Sequence, residues 1–99
     1  MNRALSMLGL CARAGRLISG EKACLQAIRN GGVYAVLLAA AAAKNAVKSI
    51  SDACAYHEVP LISAPEMQLG DAIGKPGRMV VGITDQKLAE RVIELSKIG

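Results

Sequence analysis

The sequence predicts one α/β domain over residues 1–99, a three-layer α-β-α sandwich with helices on both faces of a sheet. Three observations predict it. Segments with helical spacing alternate with strand-like segments along the whole chain. Apolar residues make up 53% and charged residues 20%, which excludes a disordered chain and supports a core without staples. Finally, Val33 to Ala39 is continuously apolar, as a central strand buried on both faces should be. With no Trp, no Phe and two Tyr, the core must be aliphatic. The 10 Gly show no three-residue period, so a collagen-like chain is excluded.

The elements follow in order. Asn2 to Ala14 is an amphipathic helix with Leu5, Leu8 and Cys11 on its stripe and Met7 and Leu10 alongside; Gly15 stops it. Arg16-Leu17-Ile18 is a short strand. Ser19 is the expected cap of a second helix, with Glu21 in its positive first turn and Cys24, Leu25 and Ile28 facing inward. Asn30-Gly31-Gly32 ends it. After the Val33–Ala39 strand come the alanines 39–43, read either as the opening of a helix or as a contact patch. A third helix runs from about Asn45 to His57, with Val47, Ile50 and Cys54 inside and Ala46 and Ala53 beside them. Val59 to Ser63 is a strand, with Pro60 near its start. Pro65 opens a short helix through Leu69, Ala72 and Ile73 that Gly74 closes. Lys75-Pro76-Gly77-Arg78 is a turn, and Met79 to Ile83 is the last strand. Thr84 or Asp85 caps a final helix with Leu88, Val92, Ile93 and Leu95 inside.

No stretch reaches the roughly 20 apolar residues of a membrane span. Arg3 precedes an apolar run as in a signal peptide, but Arg13 and Arg16 stand where a cleavage region belongs. Cys11, Cys24 and Cys54 are odd in number and widely spaced, which points to a reducing cytoplasmic setting and away from a disulfide framework. With no C-x-x-C and a single His, a zinc site is not expected, nor is any cofactor.

Charge is unevenly spread. Residues 1–50 carry seven basic residues against Glu21, a net of +6, while residues 51–99 carry five against seven acids, a net of −2. One basic face suggests a polyanion. Catalytic material is sparse. His57 sits at a helix end, where it suits the C-terminal dipole, and the cysteines read as core thiols. Cys24, in the second turn of a helix, is the one thiol placed to ionise. Two loops remain. Gly20, with Ser19, Arg16 and Lys22 around it, starts a helix whose free amides suit a phosphate or base edge, although an ordinary cap explains it as well. Gly74-Lys75-Pro76-Gly77-Arg78 carries two cations, although a plain turn before an edge strand would look the same. The two matter together only if the fold brings them to one side.

Four stretches carry a resemblance across most of the chain. They are Leu8 to Glu21; Ala27-Ile28-Arg29-Asn30-Gly31 leading into Val36 to Ala39; Val59 to Ile62; and Leu69-Gly70-Asp71-Ala72-Ile73-Gly74-Lys75. The last, L-G-x-A-x-G-K, is the most specific. The chain resembles the kink-turn RNA-binding ribosomal-protein superfamily of seven-Ae and thirty-e proteins, and most of all its small bacterial members. The resemblance implies a four-stranded mixed sheet and a non-enzymatic protein that binds kinked, structured RNA, ribosomal RNA among the candidates. It implies that the start of the second helix enters the widened groove and that the loop after L-G-x-A-x-G packs on an extruded nucleotide.

Carried over, the RNA-binding residues are Ser19, Gly20, Glu21 and Lys22 together with Lys75, Pro76, Gly77 and Arg78. Glu21 would accept from a guanine, and Gly20 would let the backbone come close. Arg16, Lys22, Lys44 and Arg78 would neutralise phosphates. A distorted site is what such a protein needs, because a regular A-form major groove is closed to side chains. No exposed aromatic residues are expected, which argues against a single-strand stacking platform. The chain departs from the family pattern at three places. Gly20 stands where many members have Asn, Cys24 or Leu25 falls near a usual Lys, and Ala40–Ala43 replaces a polar loop. Those departures suit the alternative expectation, a protein–protein adaptor on the same fold with weak RNA affinity and a ribosomal or other protein partner.

Overall fold

A computed structural model describes residues 2–65 and 68–98. Its elements are α1 (Asn2–Arg13), β1 (Leu17–Ser19), α2 (Glu21–Asn30), β2 (Ala35–Ala39), α3 (Lys44–His57), β3 (Leu61–Ala64), α4 (Gln68–Ala72), β4 (Val80–Ile83) and α5 (Gln86–Ile98). The four strands form a mixed sheet in the order β1-β4-β2-β3. β2 pairs parallel with β3, and β4 pairs antiparallel with both β1 and β2.

The two-residue period of a strand divides the core. Ala35, Leu37 and Ala39 of β2, with Val81 and Ile83 of β4, face Ala4, Leu8 and Cys11 of α1, Leu69 of α4 and Val92 of α5. Val36, Leu38 and Val80 face Cys24 and Ile28 of α2 and Ile50 and Cys54 of α3. Every residue of β2 and β4 is buried, which is why both read as unbroken apolar runs. Each fully buried Leu, Ile or Val stabilises by roughly 1.5–3 kcal/mol. The result is the expected α-β-α sandwich.

Element ends moved where pairing decided them. The central strand starts at Ala35, the first residue paired with β4, and not at Val33; Tyr34 before it is exposed and Val33 is buried. β3 starts at Leu61 and lies at the sheet edge, where Leu61 and Ser63 are exposed. The last strand is interior and not at an edge. The spacing puts Val47 on the inner stripe of α3 and Leu10 alongside that of α1, but both are exposed. Ala46, Ile50 and Cys54 define the buried stripe of α3, and Val47 lies one residue off it. Of the helix expected after Pro65, Gln68–Ala72 is helical, while Glu66 and Met67 lie outside the described residues.

Helix ends follow local chemistry. Arg16 N–H donates to Cys11 C=O (2.9 Å) and Gly15 N–H to Ala12 C=O (3.1 Å), closing α1 in a Schellman turn. Asp85, and not Thr84, caps α5, because its Oδ1 accepts from Leu88 N–H at 3.0 Å. Ser19 does not cap α2. It is held in β1 opposite Val81, so the cap position falls to Gly20, which makes no side-chain cap bond. No described helix is long and apolar enough to cross a membrane.

Candidate nucleic-acid interface

Strand direction decides which loops meet. β1, β2 and β3 run one way and β4 the other, so the C-terminal ends of the first three lie beside the start of β4. Backbone bonds show the neighbours. Gly20 N–H donates to Val80 C=O (2.9 Å), Ala39 N–H to Met79 C=O (2.8 Å) and Ala40 N–H to Ala64 C=O (2.8 Å). The start of α2, the Ala40–Ala43 loop and the loop before β4 thus share one end of the sheet.

Gly20 turns the chain from β1 into α2 at φ 103° and ψ 146°, a conformation that only glycine adopts readily. A Cβ there would lie 3.0 Å from an Arg78 guanidinium nitrogen. The missing side chain therefore leaves the space into which Arg78 reaches, and the two predicted loops touch. No side chain caps the first turn of α2, so its leading amides remain open donors. Glu21 offsets the positive helix end. It has no hydrogen-bond or ion-pair partner among the described residues.

The second loop rests on Gly70. A Cβ there would lie 2.6 Å from Lys75 C=O and 2.9 Å from both Gly77 N and Arg78 N. Lys75 N–H donates to Gly70 C=O (2.8 Å), and Arg78 N–H closes the turn on Lys75 C=O (3.3 Å). Pro76 and Gly77, the latter at φ 92°, fit the central positions of a type II turn. Between the loops runs a cleft of about 410 Å³, lined by Ser19, Ala23, Ile73, Lys75 and Arg78.

Lys22, Lys75, Pro76, Gly77 and Arg78 are exposed, as is Lys44 in the first turn of α3. Among the described residues the ion pairs are Lys48–Asp52 and Arg91–Glu94, so none of these cations is paired. Arg16 departs from the expected grouping. It precedes β1, and its C=O accepts from Thr84 N–H (3.0 Å) at the other end of the sheet. The alanines 40–43 form a turn ahead of α3, with Ala42 N–H donating to Ala39 C=O (3.0 Å), and not its first turn. Cys24 is not a poised thiolate. It is fully buried, and burial, with Cys54 nearby, pushes its thiol up to about 12. Burial also raises Cys11 and Cys54.

Sequence reasoning passed over two features. One is Gly70: it lies within the L-G-x-A-x-G-K motif, but its close approach to the Lys75–Arg78 turn is tertiary. The other corrects an expectation: both tyrosines are exposed, Tyr34 by 44% and Tyr56 by 83%, which removes the objection to a stacking platform. One signal existed, since Tyr56 is two residues from Cys54 and so on the opposite side of α3.

An α-β-α sandwich with a glycine-bent helix start packed against a basic turn is the architecture in hand. The chain belongs to the Ribosomal protein L7Ae/L30e/S12e/Gadd45 family, which it matches over residues 3–93. It is 40% identical over 90 residues to the RNA-binding protein YlxQ of Bacillus subtilis (strain 168), covering 90% of each chain. It is 38% identical over 94 residues to the RNA-binding protein YlxQ of Enterococcus faecium, covering 94% of this chain and 90% of that one. A solved structure of a protein with unknown function from Bacillus halodurans C matches with a TM-score of 0.91 and 35% identity, over 95% of this chain and 96% of that one. The Giardia lamblia 15.5kD RNA binding protein shares the fold, with a TM-score of 0.76 and 22% identity over 95% and 82% of the two chains.

Proposed function

We propose that this protein is a non-enzymatic, cytoplasmic RNA-binding protein, working as one unit over residues 1–99. It recognises a kink-turn or similarly structured RNA within a ribonucleoprotein, with ribosomal RNA the leading candidate. The observation that carries the reading is the contact between the two loops, with the Arg78 guanidinium in the space beside Gly20. Family membership and the names of the YlxQ relatives support RNA as the partner.

In this reading the bare backbone at Gly20 and the open amides of α2 approach a widened groove, and Glu21 accepts from an exposed guanine edge. Lys22, Lys44, Lys75 and Arg78 neutralise phosphates, which supply affinity without reading sequence. Arg16 drops out of this set because it precedes β1 at the opposite end. The protein stabilises the bent RNA by binding that form preferentially.

Titration against a kink-turn RNA and a fully paired duplex of equal length, at two salt concentrations, tests this. A preference for the kink-turn that survives the higher salt is expected. Lys75→Ala and Arg78→Ala should each lower the salt slope by about 1. Equal, salt-labile binding to both RNAs would reject the reading. The second reading is a protein–protein adaptor. It draws on the exposed residues Ala40, Ala41 and Ala43 beside the same site and expects a complex that survives nuclease and salt.

A further inference from the structure

The two tyrosines and the one histidine gather at the opposite end of the molecule from Gly20. Tyr34 precedes β2, while Tyr56 and His57 end α3. Both tyrosines are exposed, as is His57, and the buried core contains no ring at all. The Tyr56 and His57 rings meet edge to face, with centroids 4.9 Å apart at 76°. His57 and Arg29 line two adjoining clefts, one of about 500 Å³ that reaches Tyr34 and one of about 450 Å³ that reaches Tyr56. Rings that could have been buried for their large apolar area are instead presented to solvent beside a guanidinium.

A track joins this cluster to the first site. Lys22, Gln26 and Arg29 lie at i, i+4 and i+7 on α2, all exposed, with no acid between them. Ten helical residues span about 15 Å. At about 3.4 Å per stacked nucleotide, four or five nucleotides cover that distance. Of the acids near the rings, Asp52 is taken by Lys48 at 3.2 Å, and Glu58 is exposed.

We propose that Tyr56, His57 and Tyr34, with Arg29, form a second RNA contact on which unpaired nucleotides stack after running along α2 from the first site. The ligand class is single-stranded polynucleotide. Each ring offers a face to any base, and Lys22 and Arg29 meet the phosphates. Continuity with the basic end of α2 favours RNA over a protein partner. The proposal rests on the kink-turn reading above for its anchor.

The test compares a blunt kink-turn RNA with the same RNA carrying an unpaired tail of about five nucleotides on either strand. Tyr56 is so exposed that Tyr56→Ala should melt as the wild type does, which a thermal scan checks. The tail should tighten wild-type binding about tenfold, within the range of one base–aromatic stack. Tyr56→Ala should lose that gain, Tyr56→Phe should keep it, and all three should bind the blunt RNA equally. A tail that adds nothing, or a gain that survives both Tyr56→Ala and His57→Ala, overturns the proposal and assigns the rings to another class of partner. If instead the blunt kink-turn is bound no better than a duplex, the kink-turn reading fails by itself. Binding of a free single-stranded oligonucleotide, weakened by Tyr56→Ala, would then still uphold the ring contact.

Discussion

The two ends of the sheet are built from the same buried strands and present opposite surfaces. At the Gly20 end the chain removes side chains. Gly20 and the alanines 40–43 carry little side chain there, buried Gly70 seats the basic turn, and four cations without an ion-pair partner among the described residues are exposed. At the Pro60 end the chain adds rings, with Tyr34, Tyr56 and His57 around Arg29. The contrast teaches that the core does not choose the surface chemistry. Ala35, Leu37 and Ala39 line one face of β2 and Val36 and Leu38 the other from end to end, while short loops decide what each end can bind.

The shared sheet is where both ends should fail together. Leu37 is fully buried in β2, so Leu37→Ala should cost about 2–5 kcal/mol in denaturant unfolding. RNA affinity should fall only as folded protein is lost. Selective loss of one binding mode would mean that the ends are anchored separately.

Gly70→Ala should break one end. Its Cβ meets backbone at 2.6 Å, so the Lys75–Arg78 turn must shift. We expect a stability loss of about 1–3 kcal/mol, with kink-turn affinity falling in protein that is still folded. Gly15→Ala is the control at the other end of the sheet. It has open space around it but a φ of 71°, so it should lose about 1–2 kcal/mol of stability and leave affinity unchanged. Equal affinities for the two variants would show that the turn's position does not matter to binding.

Glu21→Ala separates recognition from folding. It should weaken kink-turn binding by about 1–3 kcal/mol, as a lost base contact does, while the lost interaction with the helix dipole costs only about 0.3–1 kcal/mol of stability. The expectation fails if duplex and kink-turn affinity change alike.

The smallest effect concerns α2, which links the two ends. In the unfolded chain Cys24 ionises near 9.0, and in the folded protein its pKa is pushed up to about 12. Between these values the folded state holds more protons than the unfolded one, so stability falls as pH rises from about 9. The slope is up to about 1.4 kcal/mol per pH unit for this thiol. Unfolding measured at pH 8 and pH 10 should show a smaller drop for Cys24→Ala than for the wild type. An equal drop would mean that Cys24 does not contribute.

Much of the fold was legible because local patterns carry it. Burial on both faces makes β2 and β4 continuously apolar, and the spacing of Ile50 and Cys54 marks the inner face of α3. The errors came where a partner element intervened. Ser19 has good capping chemistry, but pairing with Val81 took it into the sheet. Val47 and Leu10 are apolar yet sit off the buried stripe. Of the candidate site, Ser19 to Lys22, Lys44 and Lys75 to Arg78 do share one end. Arg16 does not, because three residues of strand carry the chain from one end of the sheet to the other.

By itself the sequence determined the alternation of helices and strands, the aliphatic core, the charge imbalance and the glycine-marked turns. Those follow from hydrophobic periodicity and from φ preferences that act within a few residues. Only the tertiary structure decided the order β1-β4-β2-β3, the meeting of Arg78 with Gly20 and of Gly70 with the turn it supports, and the gathering of rings at the far end. Residues 20 and 78 lie 58 positions apart. No local preference brings them together; the direction in which β4 pairs between β1 and β2 does.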